Sequence, residues 1–233
     1  MKRILIIEDD RDIAGLLSIH LKDMGFDVDR AADGKAGLEK ALAGGYSLLV
    51  LYLMLPEMDG LDVCRRIRSF DRCIPILMLT AKTEESDKIF GFESGADDYI
   101  TKPFGIGEVI ARIKALLRRN EAIRGAAPTT QQRIFSFGEL EIDLDKRKVQ
   151  RSGSELKLTS TEFELLTFLS TMPGRPYTRQ ELLSSVWGYE FEGYEHTVNT
   201  HVNRLRSKIE RDPSRPEYIL TVWGVGYQFA EVA

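Results

Sequence analysis

The sequence predicts an α/β doubly wound five-stranded parallel sheet followed by a smaller α+β domain of winged helix-turn-helix build. Three observations point there. From Lys2 to Arg119, short apolar runs alternate with stretches of helical periodicity, five times in succession. Residues 120–133 break that rhythm with Gly125, Ala126, Ala127, Pro128, two threonines and two glutamines, the composition of a tether. From Ile134 onward, residue-by-residue alternation, three helical stretches and a closing hairpin replace it. The expected organisation is therefore 1–119, a linker at 120–133, and 134–233.

The apolar runs at 4–7, 48–53 and 74–79 lack alternation, as strands buried on both faces must. A weaker run at 26–30 reads as a more exposed strand, and 98–101 as the fifth. Helical periodicity falls at about 11–24, 34–43, 60–69, 84–94 and 105–119. In the second half, 134–150 alternates with turn signals at Phe137-Gly138 and Leu144-Asp145, and another short strand follows Gly153. Thr159-Ser160-Thr161-Glu162 is a capping-box signature ahead of a helix whose apolar face holds Phe163, Leu165, Leu166, Phe168 and Leu169. A second helix is expected from Thr178 to Trp187. A third runs from His196 to about Arg211 and stops at Asp212-Pro213, before the hairpin at 218–230.

Composition narrows the function. Of 233 residues, 43% are hydrophobic and 29% charged, an ordinary globular balance that argues against disorder and fibrous repeats. The most apolar run, 46–56, is about half the ~20 residues of a membrane-spanning helix, and no secretory signal is expected at the N-terminus. Two cysteines, Cys64 and Cys73, cannot build a metal cage or a disulfide framework. A cytoplasmic protein is expected. Net charge is −4 and neither half is basic, so any nucleic-acid interface must come from local clustering.

In an open parallel sheet, function sits at the carboxyl ends of the strands. The first strand ends in Glu8-Asp9-Asp10. These carboxylates suit a hard divalent cation, and Asp10 equally suits a helix N-cap. Thr80 ends the fourth run, and Lys102, followed by Pro103, ends the fifth. A hydroxyl and an ammonium facing carboxylates make a phosphate-handling constellation.

Residues 2–119 resemble the receiver domain, a flavodoxin-like fold, of bacterial two-component response regulators. The matching motifs are Glu8-Asp9-Asp10, Leu53-Met54-Leu55-Pro56-Glu57-Met58-Asp59-Gly60, Leu79-Thr80-Ala81-Lys82, and Gly95-Ala96-Asp97-Asp98-Tyr99-Ile100-Thr101-Lys102-Pro103-Phe104. The resemblance implies phosphoryl transfer from a sensor histidine kinase to an aspartate at the end of the third strand, with Mg²⁺ held by Glu8 and Asp9. Thr80, Tyr99 and Lys102 would be the switch and pocket residues. At the acceptor position this chain carries Tyr52. A phenol is protonated and poorly nucleophilic at pH 7, so phosphorylation at position 52 is expected to be absent and Mg²⁺ binding weakened or lost. Two roles remain open for Tyr52. As a filler it relieves carboxylate repulsion, with its hydroxyl bonded to Asp9 or Lys102; as a prop it pushes Thr80 and Tyr99 toward their active positions. The resemblance also implies a homodimer through Lys88, Asp97, Asp98, Glu108, Arg112 and Arg119, by an isologous contact.

Residues 134–230 resemble the winged-helix effector domain of the OmpR/PhoB subfamily. The carrying motifs are Leu158-Thr159-Ser160-Thr161-Glu162-Phe163-Glu164-Leu165-Leu166, 197–209, and Thr221-Val222-Trp223-Gly224-Val225-Gly226-Tyr227. The middle stretch would be the recognition helix, with Val198, Val202, Leu205 and Ile209 toward the core. Its outer face is expected to hold Thr197, Thr200, His201, Arg204 and Lys208, flanked by Asn199, Asn203 and Arg206, for the major groove. Trp223 stands where relatives often carry a wing arginine and is expected to pack at the hairpin base. Partners implied are double-stranded DNA with tandem or repeated half-sites and RNA polymerase. The leading reading is a DNA-binding transcription regulator, not an enzyme. Two others compete: a flavin-binding protein or enzyme on the same sheet, opposed by the absent glycine-rich loop, and an interaction adaptor using a pseudo-receiver surface.

Overall fold

A computed structural model describes residues 2–71, 73–80, 95–124, 133–188 and 194–231. The expected helix at 84–94 and most of the tether, 125–132, lie outside them. The chain divides into Met1–Asn120 and Glu121–Ala233.

In the first unit β1 (Arg3–Ile7), β2 (Asp27–Ala31), β3 (Leu48–Tyr52), β4 (Ile76–Thr80) and β5 (Asp98–Thr101) form one parallel sheet in the order β2-β1-β3-β4-β5. Every residue of β3 and β4 is buried, whereas edge strand β2 is half open, which explains its weaker apolar signal. Helices α1 (Arg11–Asp23), α2 (Gly34–Ala43) and α3 (Gly60–Phe70) start on aspartate caps: Asp10 accepts from the Asp12 and Ile13 amides, Asp33 from Ala36, Asp59 from Leu61. Helix α4 (Ile106–Arg124) runs five residues past the expected end at 119, so the first part of the anticipated tether is helical.

The sheet separates two apolar layers. One contains Ile4, Ile6, Val50, Tyr52, Leu77, Leu79 and Ile100 against α1 and α4 residues such as Leu17 and Ile113. The other contains Leu5, Ile7, Leu51, Met78 and Tyr99 against α2 and α3 residues such as Leu38, Val63 and Ile67.

The second unit has an antiparallel sheet β6-β7-β8-β9 (Ile134–Phe137, Leu140–Asp143, Lys148–Arg151, Ser154–Leu156). Ser152 and Gly153, both with positive φ, make the tight turn between its last two strands. Helix α5 (Ser160–Ser170) carries the expected reciprocal cap between Thr159 and Glu162. Helix α6 (Arg179–Leu182) opens on a second capping box, Thr178 with Glu181, and widens into a π turn over Leu183–Trp187. Helix α7 (Glu195–Ile209) precedes the hairpin of β11 (Ile219–Val222) and β12 (Gly226–Phe229). The two-residue β10 (Tyr177–Thr178) pairs with β12, a strand too short for any periodicity to reveal. Trp187, Leu166, Leu169, Val198, Val202, Leu205, Tyr227 and Phe229 share one core.

At the N-terminus of α3 the loop after β3 doubles back so tightly that a Cβ on Gly60 would lie 2.2 Å from the Tyr52 carbonyl oxygen and 2.8 Å from that of Leu53. Gly60→Ala should therefore destabilise the first unit by about 1–3 kcal/mol. Urea titration of the full chain checks this, and an unchanged midpoint would contradict it.

Candidate functional site

Period-two alternation carries one step beyond the strand ends. Ile4, Ile6 and then Glu8 fall on the α1/α4 face, as do Val50 and Tyr52 in β3, and Ile100 and then Lys102 after β5. These three side chains meet there. The Lys102 Nζ lies 3.9 Å from the centre of the Tyr52 ring and 3.4 Å from Glu8 Oε1. Tyr52 is only 8% exposed. The ammonium thus contacts the ring face and not the phenol oxygen, contrary to the expected hydroxyl bond. Such a contact is worth roughly 0.5–2 kcal/mol.

Glu8 is buried, and its Oε2 has no hydrogen-bond partner among the described residues. Burial pushes its carboxyl up to about 7, against the opposing pull of Lys102. Asp9 stands exposed, and Asp10 spends its carboxylate on the cap of α1, the structural half of the two readings for this cluster. Mg²⁺ is not suited by this donor set. One carboxylate faces an ammonium, the adjacent strand end offers a phenol, and no cluster of three His, Cys, Asp or Glu side chains among the described residues could hold a metal ion.

Thr80 and Tyr99 are fully buried. Tyr99 belongs to the opposite layer, and alternation sends Thr80 there too. Tyr52 and Tyr99 thus belong to opposite layers of the sheet. A Lys102-Pro103 cis peptide follows the pocket. Next to it, Ile13, Leu16, Pro103, Phe104 and Ile106, together with Lys102 itself, line a cleft of about 600 Å³, beside a helix, α1, that also exposes Ile19.

Among the described residues, the charges expected on a dimer face, Asp97, Asp98, Glu108 and Arg112, are engaged within the chain. Arg112, with no exposed surface, bonds both Asp98 oxygens at 3.0 Å and Glu108 at 2.9 Å. Asp97 accepts from Arg68 at 2.6 Å and from the Ile76 amide at 2.9 Å. Asp97, Asp98 and Arg112 are thus corrected from surface groups to buried ion-pair members, each satisfied where sequence shows only a charge. Lys88 and the side chain of Arg119 lie outside the described residues.

In the second unit, Val198, Val202, Leu205 and Ile209 face the core as expected. The outer face does not fall where expected. Thr197 and His201 have no exposed surface; His201 Nδ1 lies 2.9 Å from the Thr197 carbonyl and its ring meets Trp187 edge-on at 4.9 Å. At 100° per residue, each directly precedes a core residue and so sits on the flank of the apolar stripe. The opposite side of the cylinder carries His196, Thr200, Asn203 and Ser207. Arg204 pairs with Glu162 at 3.1 Å, and Lys208 with the same carboxylate. Burial alone would raise the Glu162 carboxyl; the charges of Arg204 and Lys208, with the Lys208 and Thr159 N–H bonds, overcome it and hold it below the usual range. Arg206 donates to the Ile219 carbonyl at 2.6 and 2.9 Å and to Thr221 Oγ1 at 2.9 Å. Asn199 Oδ1 accepts from Arg179 Nε at 2.8 Å and the Tyr227 hydroxyl at 3.0 Å. Trp223, expected at the hairpin base, is instead 91% exposed.

Comparison with known proteins covers both units. Residues 4–114 match the family described as response regulator receiver domain, and residues 153–229 the family described as transcriptional regulatory protein, C terminal. The transcriptional regulatory protein ResD of Bacillus subtilis (strain 168) is 44% identical over 229 residues, which cover 97% of this chain and 95% of ResD. The DNA-binding response regulator MtrA of Mycolicibacterium smegmatis is 45% identical over 227 residues, covering 97% and 96%. Among solved structures, a cysteine-to-serine mutant of RitR matches with a TM-score of 0.77 at 30% identity, covering 99% of this chain and all of that one (100%).

The buried Glu8 generates a pH dependence. Its folded value of about 7 lies above the ~4.3 of an unfolded glutamate, so folding takes up a proton between them. Stability should fall as pH rises through this window, on the order of 3 kcal/mol in total. Glu8→Gln should flatten that slope. Urea midpoints of both proteins from pH 4.5 to 8 measure it, and parallel curves would refute the assignment.

Proposed function

The chain belongs to the response regulators of the OmpR/PhoB type, a receiver joined to a C-terminal DNA-binding domain, and on that footing we propose that its receiver works without an acyl phosphate at position 52. It is a DNA-binding transcriptional regulator of a two-component system; its relatives are regulators and not enzymes. The observation that carries the proposal is the Tyr52 ring beneath the Lys102 ammonium, where an acceptor carboxylate and its phosphoryl oxygens would need to be. An acyl phosphate needs a carboxylate nucleophile, and the phenol supplies neither that oxygen nor the third anionic ligand for Mg²⁺. Regulation is accordingly independent of phosphorylation or disabled, and Mg²⁺ binding at Glu8 and Asp9 is weakened or lost.

DNA binding in this reading uses the open side of α7. Asn203 and Thr200 are the base-reading candidates, with Asn199 and Arg206 beside them, held by bonds to α6 and the hairpin. Asparagine suits adenine, and a good bidentate pair contributes about 1–3 kcal/mol of discrimination. Arg204 and Lys208, tied to Glu162, serve chiefly to fix the helix. Thr197 and His201 support it from within. Tandem half-sites, a receiver homodimer and contact with RNA polymerase complete the reading. In such a dimer Glu108 is the most open member of the charged set among the described residues.

A second reading is favoured by the cleft beside α1. Its largely apolar lining, with Lys102 at its edge, and the exposed Leu16 and Ile19 suit a docking helix, so the receiver can serve as a pseudo-receiver surface for a sensor kinase or another protein.

Incubation with acetyl phosphate and Mg²⁺ should leave the parent protein unlabelled, while Tyr52→Asp gains one hydroxylamine-sensitive phosphoryl group; labelling of the parent would overturn the proposal. On a duplex selected from a randomised pool, Asn203→Ala should bind about 10–100-fold more weakly. Undiminished binding would move the interface off this face of α7.

A further inference from the structure

The cleft beside Lys102 has walls held from behind. Ile13, Phe104 and Ile106 are partly buried and pack against the α1/α4 layer of the sheet, while Leu16 and Pro103 are exposed. At about 600 Å³ the cleft falls within the roughly 300–1,000 Å³ of small-molecule pockets, which are mostly apolar with a few polar groups fixing orientation.

Among the described residues its one polar side chain is Lys102. An ammonium has three donors. One of them reaches Glu8 Oε1 at 3.4 Å, beyond the usual ~2.7–3.2 Å, and another side of the group rests on the Tyr52 ring. The side chain keeps 22% of its surface open. A cation so weakly paired, at the edge of an apolar cleft, has donors left for an anion. The dimensions point to a small one. The cleft borders a single turn of α1, from Ile13 to Leu16, and the segment 102–106. A docked helix is held by anchors at i, i+3, i+4 and i+7 and needs a longer surface, which Ile19 would extend. The cleft itself has the size of a small molecule.

We propose that this cleft binds a small carboxylate with an apolar body, its charge on the Lys102 ammonium and its body against Ile13, Leu16, Phe104 and Ile106. The proposal rests on the reading that position 52 carries no acyl phosphate, since phosphoryl oxygens there would claim the same ammonium. A dianion fits less well, because the one ammonium is already shared with Glu8 and the lining offers no second cation. A neutral apolar molecule would leave the remaining Lys102 donors unused.

The test titrates the full chain with octanoate and with 1-octanol, which share a tail and differ in charge, by calorimetry. Octanoate should saturate at one per chain and bind about tenfold or more tightly than octanol, the scale of one charge-assisted hydrogen bond. Lys102→Gln should remove that preference, weakening octanoate about tenfold and leaving octanol unchanged, while Lys102→Arg keeps it. Leu16→Asn should weaken both ligands alike, about fourfold, the worth of one buried methylene. Octanoate bound no more tightly than octanol, several octanoates per chain, or an octanoate affinity indifferent to Lys102→Gln or to Leu16→Asn would overturn the proposal. The first two outcomes need only the parent protein, so the test stands even where a substituted chain does not fold. Absence of octanoate binding in a parent that acetyl phosphate leaves unlabelled overturns this proposal alone and leaves the cleft to a docking helix. A labelled parent overturns the reading beneath it, and this proposal with it.

Discussion

A parallel sheet covered on both sides allows a side chain only two destinations, and that restriction organises the N-terminal unit. Alternation along each strand sorts residues into two sealed layers and continues past the strand ends into the loops. Glu8, Tyr52 and Lys102 come from three separate segments, yet each is an even number of steps from a residue of the same layer. Their meeting is a consequence of register. So is the assignment of Tyr52 and Tyr99 to opposite layers.

Much of this is legible in the sequence. The strands, the Asp10 cap and the burial of the central runs follow from composition and period, because burial on two faces leaves a strong signal, whereas the reading of Tyr52 as standing at an acceptor position rests on the family resemblance. Partner choice is harder to read. Lys102 offers an ammonium to whatever lies nearest, and only geometry says that this is a ring face. Asp98 and Arg112 stand fourteen residues apart and read as two surface charges until the chain folds them into one buried pair. On α7 the core positions follow from the period, but assigning Thr197 and His201 to the outside places two flanking positions where only the diametric ones belong. Trp223 escapes for a simpler reason: large apolar residues are usually buried, and this one is not.

The C-terminal unit follows a different economy of charge. A helix rich in arginine and lysine invites the reading that each cation awaits a phosphate. Here Glu162 is completely enclosed, caps its own helix and draws two of those cations inward. Removing one partner of such a group leaves an uncompensated buried charge, which is costly. The arrangement fixes the pitch of α7 against α5, and polar and apolar groups remain to face outward.

The setting of Tyr52 has a genetic side. Codons for aspartate and tyrosine differ only in their first base, and the chain carries Glu8, Asp9, Thr80 and Lys102 at the neighbouring strand ends. One nucleotide separates this protein from a version with a carboxylate beneath Lys102. A population carrying the tyrosine form therefore holds the aspartate form within reach of a single mutational event, and selection for a carboxylate at position 52 would meet no barrier of several coordinated changes.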